Sequence, residues 1–287
     1  LVGTLYPLVV EALGAGQLSV GPPFFEYAAA VLMSPLIVAL GFGPLLAWKR
    51  GRLGRAAQIV VPALVVAAVA GIVIWWQNIG GVVMTAFGLS LAVWLTISVL
   101  LEIAERIQLF KKPSGALRRL GALPRASWGM SLAHLGLAVV LFGVTISEAW
   151  TEEDLAVMAP GDTAEIGGFT FTFNGVAPVA GPNFTAVRGF FDVSRDGRAV
   201  TALTPEDRVY NDPVMNTTEA SIYPLVRGDL YAVIGEAAGS GRWSVRLYFK
   251  PFISGLWVGS LMMMFGGLLS LSDRRLRIGA PKRKKEA

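Results

Sequence analysis

Five apolar blocks, each long enough to cross a bilayer, constrain the fold of this chain more than any other feature. They cover residues 25–48, 57–76, 82–101, 127–147 and 252–271. Because an α-helix rises about 1.5 Å per residue, roughly 20 apolar residues span the hydrocarbon core of a membrane. Charged residues make up only 16% of the chain, whereas they make up about a quarter of an average soluble domain. The sequence therefore predicts a polytopic α-helical membrane protein with about five full transmembrane helices.

The distribution of charge predicts how these helices are oriented. Residues 148–250 carry 14 acidic and 8 basic side chains, a net of −6, so the overall charge of +5 leaves +11 for the rest of the chain. The excess of lysine and arginine lies in three clusters, at 49–55, 106–125 and 274–285. Because basic loops stay on the cytoplasmic side, five crossings place residues 1–24 and 148–250 outside. Next to membrane helices such clusters mark topology and contact anionic lipid, so we predict no nucleic-acid partner.

The blocks and their connections define five segments. We interpret residues 1–24 as the end of a preceding helix and an external loop, because residues 1–14 are apolar but too short to cross alone. The remaining segments are a helical domain of four spans at 25–147, an external domain at 148–250, the last helix at 251–272 and a basic cytoplasmic tail at 273–287. The chain starts with Leu, and we expect it to be a truncated form or a split subunit of a longer protein.

The external segment 148–250 has the residue pattern of a β domain. Phe169, Phe171 and Phe173 alternate with threonines, which is typical of a half-buried strand. Further strand-like runs cover residues 184–194, 199–203, 206–210, 229–235 and 243–249. Arg195-Asp196-Gly197-Arg198 predicts a hairpin turn, because glycine adopts a positive φ without strain. We predict a small antiparallel sheet or barrel inserted before the last helix, and the absence of cysteine excludes disulfides and thiolate metal sites.

His134 is the only histidine of the chain, and it lies inside the apolar block 127–147. At that position the imidazole would sit roughly a third of the way across the membrane. Ionisable side chains inside membrane helices usually face a partner, a cavity or a cofactor, which makes a functional site the default interpretation. Three interpretations stay open from the residues alone: a ligand of haem or another metal, a neutral side chain bonded to a neighbouring helix, and a proton relay.

Small side chains surround His134 on its predicted helix. Those on the histidine face are Ser127, Ser131, Ala138 and Thr145, and a stripe on nearly the opposite side consists of Gly129, Gly136 and Gly143. Close approach of a neighbouring helix is the commoner reason for such stripes, although a flat surface beside the histidine would also admit a planar macrocycle. Ser131, one turn before His134, is a candidate hydrogen-bond partner of the ring.

Other candidates for chemistry are weaker. Glu102 and Glu105 could belong to a proton path, but beside Arg106 they are more typical of interfacial ion pairs. No nucleophile with a base can be assembled from the sequence, so we assign no catalytic residue. Two functions from other classes also remain. One is a fragment of a proton-coupled membrane transporter that uses His134 as a relay, and the other is a membrane-anchored interaction module that works through the external domain.

Six short segments follow one another along nearly the whole chain in an order that matches a known family. They are GTLYPL at 3–8, SVGPPFF at 19–25, SWGMSLAHLGLAVVLFGVT at 127–145, TEASI at 218–222, DLYAVIGE at 229–236 and WSVRLYFKPF at 243–252. With these segments the chain resembles the C-terminal portion of CcmF, the haem lyase family of bacterial cytochrome c-type biogenesis. Several motifs that agree in order are far more specific than any one of them.

The resemblance implies a function in attaching haem to cytochrome c. Members of the family take haem from a haem chaperone and help to bond its vinyl groups to the cysteines of a Cys-x-x-Cys-His motif in apocytochrome c. They also hold a b-type haem in the membrane, which keeps the iron of the substrate haem reduced, with quinol as a candidate electron donor. The histidine of the AHLG stretch matches an axial ligand of haem b, so the resemblance implies that His134 binds haem iron.

The resemblance also implies what other chains must supply. In the family, the tryptophan-rich external segment, its flanking histidines and the second ligand of the membrane haem lie N-terminal to the matched part. We therefore expect the second axial ligand of haem b to come from an N-terminal portion or a split partner subunit, and this chain alone to be an incomplete lyase. Further expected partners are the haem chaperone, apocytochrome c and its thiol-reducing and delivery proteins. The expected location is the bacterial inner membrane, with the β domain in the periplasm.

Overall fold

The computed structural model describes residues 2–14, 22–45, 53–77 and 83–273. The chain divides into two compact units. The first unit consists of residues Leu1–Ile74, Ala86–Ala138 and Met262–Ala287, and the second unit consists of Trp75–Thr85 and Val139–Leu261.

Helices account for most of the first unit. Within the described residues they are α1 (Val2–Ala12), α2 (Pro22–Phe42), α3 (Leu53–Trp76), α4 (Val83–Arg106), α5 (Ala116–Gly121), α6 (Arg125–Trp150) and α7 (Ser254–Leu271). Of these, α3, α4, α6 and α7 contain stretches long and apolar enough to cross a membrane, and Ala30–Leu45 is a shorter apolar stretch that begins in α2 and continues beyond its end. The predicted polytopic membrane fold is therefore confirmed, although the predicted end of the first block, at 46–48, lies outside the described residues.

Helix α4 packs against α2 inside the first unit. The side chain of Trp94 on α4 is 2% exposed, and its indole N–H donates to the main-chain carbonyl of Ile37 on α2 at 3.3 Å. Gly41 lets the indole approach, because a Cβ at that position would lie 2.5 Å from the ring. By contrast, α3 exposes apolar side chains such as Val65 and Ile72. Lipid tails are as apolar as these side chains, so α3 gains little by burying them in protein.

Helices α6 and α7 approach each other closely through glycines in each unit. In the first unit, a Cβ on Gly129 would lie 2.4 Å from the carbonyl oxygen of Gly266. In the second unit, a Cβ on Gly143 would lie 3.0 Å from the Cα of Gly255. Two of the three glycines in the predicted stripe therefore contact α7, which confirms helix packing as the reason for this stripe at those positions.

The second unit contains the β domain, residues 152–251. Its strands are β1 (Glu152–Met158), β2 (Thr163–Ile166), β3 (Phe169–Ala180), β4 (Phe184–Arg195), β5 (Arg198–Leu203), β6 (Glu206–Asn211), β7 (Val214–Glu219), β8 (Ser221–Tyr223), β9 (Gly228–Gly239) and β10 (Arg242–Pro251). One sheet has the order β1-β10-β9-β8, and the other has the order β2-β3-β4-β6-β7 with β5 paired to β4. The predicted antiparallel β domain before the last helix is confirmed, but it has two sheets rather than a single sheet or a barrel.

An apolar core explains why two sheets are needed. Phe171 and Phe173 of β3 are fully buried, and so are Leu230 and Ile234 of β9 and Leu247 of β10. Successive side chains of a strand point to opposite faces, so each sheet has one apolar face to cover. Another sheet provides that cover in a sandwich. The alternation in the sequence identifies the buried face, but it does not say which element covers it.

The predicted hairpin turn between β4 and β5 is present. Arg195 and Arg198 pair across the two strands, and the residues between them are Asp196 with φ 51° and Gly197 with φ 72°. Positive φ at both central residues is the geometry of the tight turns that match the twist of an antiparallel hairpin.

A buried carboxylate connects neighbouring strands of the six-stranded sheet. Glu206 of β6 is 6% exposed, and its carboxylate accepts from Arg188 Nε at 2.7 Å and from Arg208 Nε at 2.7 Å. These interactions, with the hydrogen bond from Arg208 the largest, hold the pKa of Glu206 below its usual range even though burial opposes them. Arg208 in turn lies 3.4 Å from a carboxylate oxygen of Glu219 on β7.

We expect acid to weaken the β domain through Glu206. Because the pKa of Glu206 is lower in the folded state, its ionised form stabilises the fold above the usual value of 4.5, and this contribution is lost as the pH falls through the lowered value. Glu206→Gln should therefore reduce stability at pH 7 by about 3 kcal/mol and should flatten its dependence on pH below 5. Hydrogen exchange of the β4 and β6 amides, followed against pH in detergent, measures both effects.

Asp207→Asn, one position along β6, serves as the control for this substitution. Asp207 does not accept from either arginine, so its removal should leave the acid sensitivity of the wild type intact. If Glu206→Gln and the wild type lost protection in parallel as the pH falls, the stabilising role of the Glu206 carboxylate would be contradicted.

Candidate functional site

His134 lies near the middle of α6, within the first unit, and its side chain is partly buried. No group of three or more His, Cys, Asp and Glu side chains in the described part of the chain is placed to hold a metal ion. A bare ion therefore has no ligand set among these residues. Haem differs, because the porphyrin already holds the iron and the protein adds only axial ligands.

A main-chain carbonyl determines which nitrogen of the His134 ring carries the proton. Nδ1 lies 2.7 Å from the carbonyl oxygen of Met130, one turn earlier on α6. Because a carbonyl only accepts, Nδ1–H is the donor, and Nε2 of the neutral ring keeps its lone pair. Metal-ligating histidines commonly donate their other N–H to a carbonyl or a carboxylate in this way. The ring of His134 therefore fits an iron ligand that binds through Nε2.

Most of the small side chains on the face of α6 that carries His134 are buried. Ser127, Ser131 and Ala138, all in the first unit, are buried, whereas His134 itself is only partly buried. The sequence left helix packing and a flat surface for a macrocycle as alternatives for this face. Burial of these three residues favours helix packing at their positions.

A polar network joins α4 to the helix that carries His134. Glu102 of α4 is 1% exposed and forms an ion pair with Arg106 Nε, one turn later on the same helix. Arg106 Nη1 donates to Ser127 Oγ at 3.0 Å. Ser131 Oγ lies 3.2 Å from Glu102 Oε2 and 3.0 Å from the carbonyl oxygen of Ser127, so its hydroxyl can donate to either. We call these four residues the Glu102 network.

The network bears on two expectations from the sequence. Glu102 is in an ion pair with Arg106, as expected, and it is buried in the protein. Glu105 behaves as predicted, because it pairs with Lys111 at 3.1 Å nearer the surface. Ser131 was a candidate partner of the His134 ring, and this prediction is wrong because the ring donates to Met130 while the serine faces Glu102.

The sequence did not reveal that the His134 ring bonds to the Met130 carbonyl or that Ser131 bonds to Glu102, and each omission has a physical reason. The Met130 carbonyl belongs to the main chain, so no residue type marks it, although its position four residues before His134 follows from helical geometry. The contact between Glu102 and Ser131 joins residues 29 positions apart. Such a pairing depends on how α4 and α6 pack, and periodicity within one helix does not contain that information.

A separate cleft of about 490 Å³ lies in the β domain and is lined by β1, β2 and the turn between them. Asp154 and Asp162 provide its charged groups, and Asp162 accepts from the main-chain N–H of Ala159 at 2.8 Å. The cleft contains no histidine, so it offers no nitrogen ligand for iron. Its carboxylates suit a basic or hydrogen-bonding partner instead.

Residues 149–251, which contain the two sheets, match a family model described as the CcmF C-terminal beta-sandwich. The cytochrome c-type biogenesis protein CycK of Rhizobium meliloti is 43% identical over 288 residues, covering 100% of this chain and 43% of that protein. The cytochrome c-type biogenesis protein CcmF of Escherichia coli is 39% identical over 278 residues, covering 96% of this chain and 41% of that protein. The chain thus spans less than half the length of these relatives.

The fold is also similar to that of a solved structure. A chain described as the cytochrome c heme lyase CcmF superimposes with a TM-score of 0.70 at 23% sequence identity. The match covers 94% of this chain and 42% of the other. At this identity the comparison shows a shared fold, which includes both the membrane helices and the inserted β domain.

Proposed function

Because this chain belongs to the CcmF family of cytochrome c-type biogenesis proteins, we propose that it forms part of a haem lyase that attaches haem to apocytochrome c. Support comes from sequence identity with cytochrome c-type biogenesis proteins along nearly the whole chain, and from the fold that it shares with a heme lyase. Since the chain covers less than half of those relatives, we assign it a part of the lyase rather than the complete activity.

The observation that carries the proposal at the level of residues is the orientation of His134. Its Nδ1–H donates to the Met130 carbonyl, so Nε2 would be free to bind the iron of a b-type haem. Haem bound there would supply one-electron redox chemistry. The chain itself would hold the iron through His134, orient the ring through Met130 and provide a low-dielectric surrounding through its apolar helices. His134 is the only histidine of the sequence, so a second histidine ligand would come from outside this chain.

The substrate of the lyase would be a second haem, delivered by a haem chaperone. Each thioether forms when a cysteine S–H of apocytochrome c adds across a haem vinyl group, so that sulfur bonds one carbon, hydrogen bonds the other and no atom is lost. This addition needs a free thiol, which thiol-reducing and delivery proteins would provide. The described residues contain no cysteine that could compete with the client.

We assign the β domain to docking of apocytochrome c or its carrier proteins. The charge of residues 148–250 is −6, and the cleft with Asp154 and Asp162 adds a local acidic surface. With the positive-inside orientation, this domain lies in the periplasm and the helices lie in the bacterial inner membrane. The basic clusters would contact anionic lipid on the other side, and quinol in the membrane is the candidate source of electrons.

Removal of this chain from its host should abolish covalent attachment of haem to c-type cytochromes. Haem bonded by thioethers stays with the protein on a denaturing gel, whereas b-type haem dissociates, so peroxidase staining of haem on such a gel measures the outcome. The chain supplied from a plasmid, together with the additional segments of its longer relatives, should restore the stained bands. Unchanged cytochrome c bands in the strain without the chain would refute the proposal, and loss of b-type cytochromes as well would point to a defect in haem supply.

A further inference from the structure

We propose that the Glu102 carboxylate sets the redox potential of the haem held by His134, by stabilising the oxidised iron. This inference rests on the proposed haem ligation. It assigns a tuning function to a buried ion pair that the ligation does not require, because neither Glu102 nor Arg106 bonds to the ring of His134.

The first argument is burial. Glu102 is 1% exposed inside a helix that is long and apolar enough to cross a membrane. An ionised pair in such a place is expensive to bury, and apolar residues of similar volume often give equal or greater stability. Stability alone therefore gives a weak reason for a glutamate at this position. An electrostatic effect of the carboxylate on a nearby group is a stronger reason for a glutamate at this position.

The second argument is the direction in which the carboxylate points. Oε1 faces Arg106 on its own helix, while Oε2 lies 3.2 Å from Ser131 Oγ on α6. Ser131 precedes His134 by three residues, which corresponds to a rise of about 4.5 Å along the helix. The negative end of the ion pair is therefore directed at the helix that carries the iron ligand. The positive end is directed at Ser127, one turn further away.

The third argument is that little else offsets this charge. The side chain of Arg106 is 33% exposed and that of Glu102 is 2% exposed, so the carboxylate is the more enclosed charge of the pair. The neighbouring charges already have local partners: Glu105 pairs with Lys111, and Asp273 accepts from the main-chain N–H of Ala126 at 3.0 Å. In a medium of low dielectric constant, the Glu102 charge acts over several ångströms and favours the more positive, oxidised state of the iron.

The test is the midpoint potential of the b-type haem in the variants Glu102→Gln and Glu102→Asp, measured by redox titration. The chain is expressed with the additional segments of its longer relatives and purified in detergent. Glutamine keeps the shape but removes the charge, so the potential should rise. At a fixed ambient potential the ratio of reduced to oxidised haem should increase about tenfold, which is a shift of about 59 mV for one electron. Aspartate keeps the charge, so its potential should stay near that of the wild type.

A purely structural role predicts the opposite ranking, because glutamine preserves the packing and the shorter aspartate does not. Equal potentials in Glu102→Gln and the wild type would overturn the inference, as would a larger shift in Glu102→Asp than in Glu102→Gln. If Glu102→Gln does not fold, Glu102→Gln combined with Arg106→Gln leaves no unpaired charge and should still show a higher potential. An unchanged potential in this double variant would also overturn the inference.

Thr96→Ala is the matched control on α4, because the Thr96 hydroxyl donates only to the Ala92 carbonyl of its own helix, at 2.8 Å. It should keep the wild-type potential. Failure of the inference is separable from failure of the proposed function. If haem remains bound through His134 and its midpoint potential does not change in the Glu102 variants, only the inference fails. Absence of haem from the wild type would instead contradict the ligation on which the inference rests.

Discussion

Replacement of His134 by alanine should abolish the sharp absorption bands of a low-spin b-type haem. A methyl group has no lone pair, so the proposed bond from Nε2 to haem iron would be lost completely rather than weakened. The fold should survive, because the hydrogen bond shown for the ring goes to Met130 of the same helix, and the side chain is only partly buried. Dithionite-reduced spectra of the detergent-purified chain, expressed with the additional segments of its longer relatives, measure the loss.

Val144→Ala provides the control for this experiment. Val144 lies on the same helix and is exposed, so trimming it should leave the haem bands at wild-type intensity. Resistance to limited proteolysis would show that both variants are folded. Persistence of the bands in His134→Ala would exclude His134 as the iron ligand, and the packing or relay interpretation would then apply.

Phe173→Ala should produce the largest loss of stability among substitutions in the β domain. Phe173 is fully buried between the two sheets, and its ring centroid lies 5.0 Å from that of Phe191. Removal of a buried phenylalanine side chain leaves a cavity and costs about 3–5 kcal/mol. Hydrogen exchange of the β3 and β4 amides in the intact chain should accelerate by about 100-fold or more if these strands open through a common unfolding event.

Phe190→Ala is the matched control, since Phe190 precedes Phe191 on β4 and points to the opposite face. Its side chain is 37% exposed, so the same truncation should change the exchange rates only slightly. Similar acceleration in Phe190→Ala and Phe173→Ala would show that the interior between the sheets does not limit the opening of these strands.

The membrane part of the fold was largely predictable because its determinants are local. A run of apolar residues matches the thickness of a bilayer whatever its neighbours are, and inside lipid the backbone must satisfy its hydrogen bonds within a helix. For this reason the predicted blocks at 57–76 and 127–147 lie within α3 and α6. The strands were predictable on the same ground, since alternation such as that of Phe169 and Phe171 reflects the two faces of a strand.

The candidate site was predictable only in part. His134 stands out in the sequence because it is the single histidine and lies in an apolar block, and its assignment as the iron ligand stays a prediction. The partner of its Nδ1 is a main-chain atom, and the place of Glu102 follows from the packing of two helices. Neither feature can be recognised from the residue type at a single position.

The sequence by itself determined the type of the main elements, the insertion of a β domain before α7, the basic clusters and the single histidine as the leading candidate. Each of these follows from local periodicity, from charge or from composition. Only the tertiary structure decided that the strands form two sheets and that α7 packs closely against Gly129 and Gly143. It also decided that Glu102 is buried beside Ser131. The physical reason is that burial, ion pairing and close approach are properties of pairs of segments distant in the chain, and their energies exist only once those segments meet.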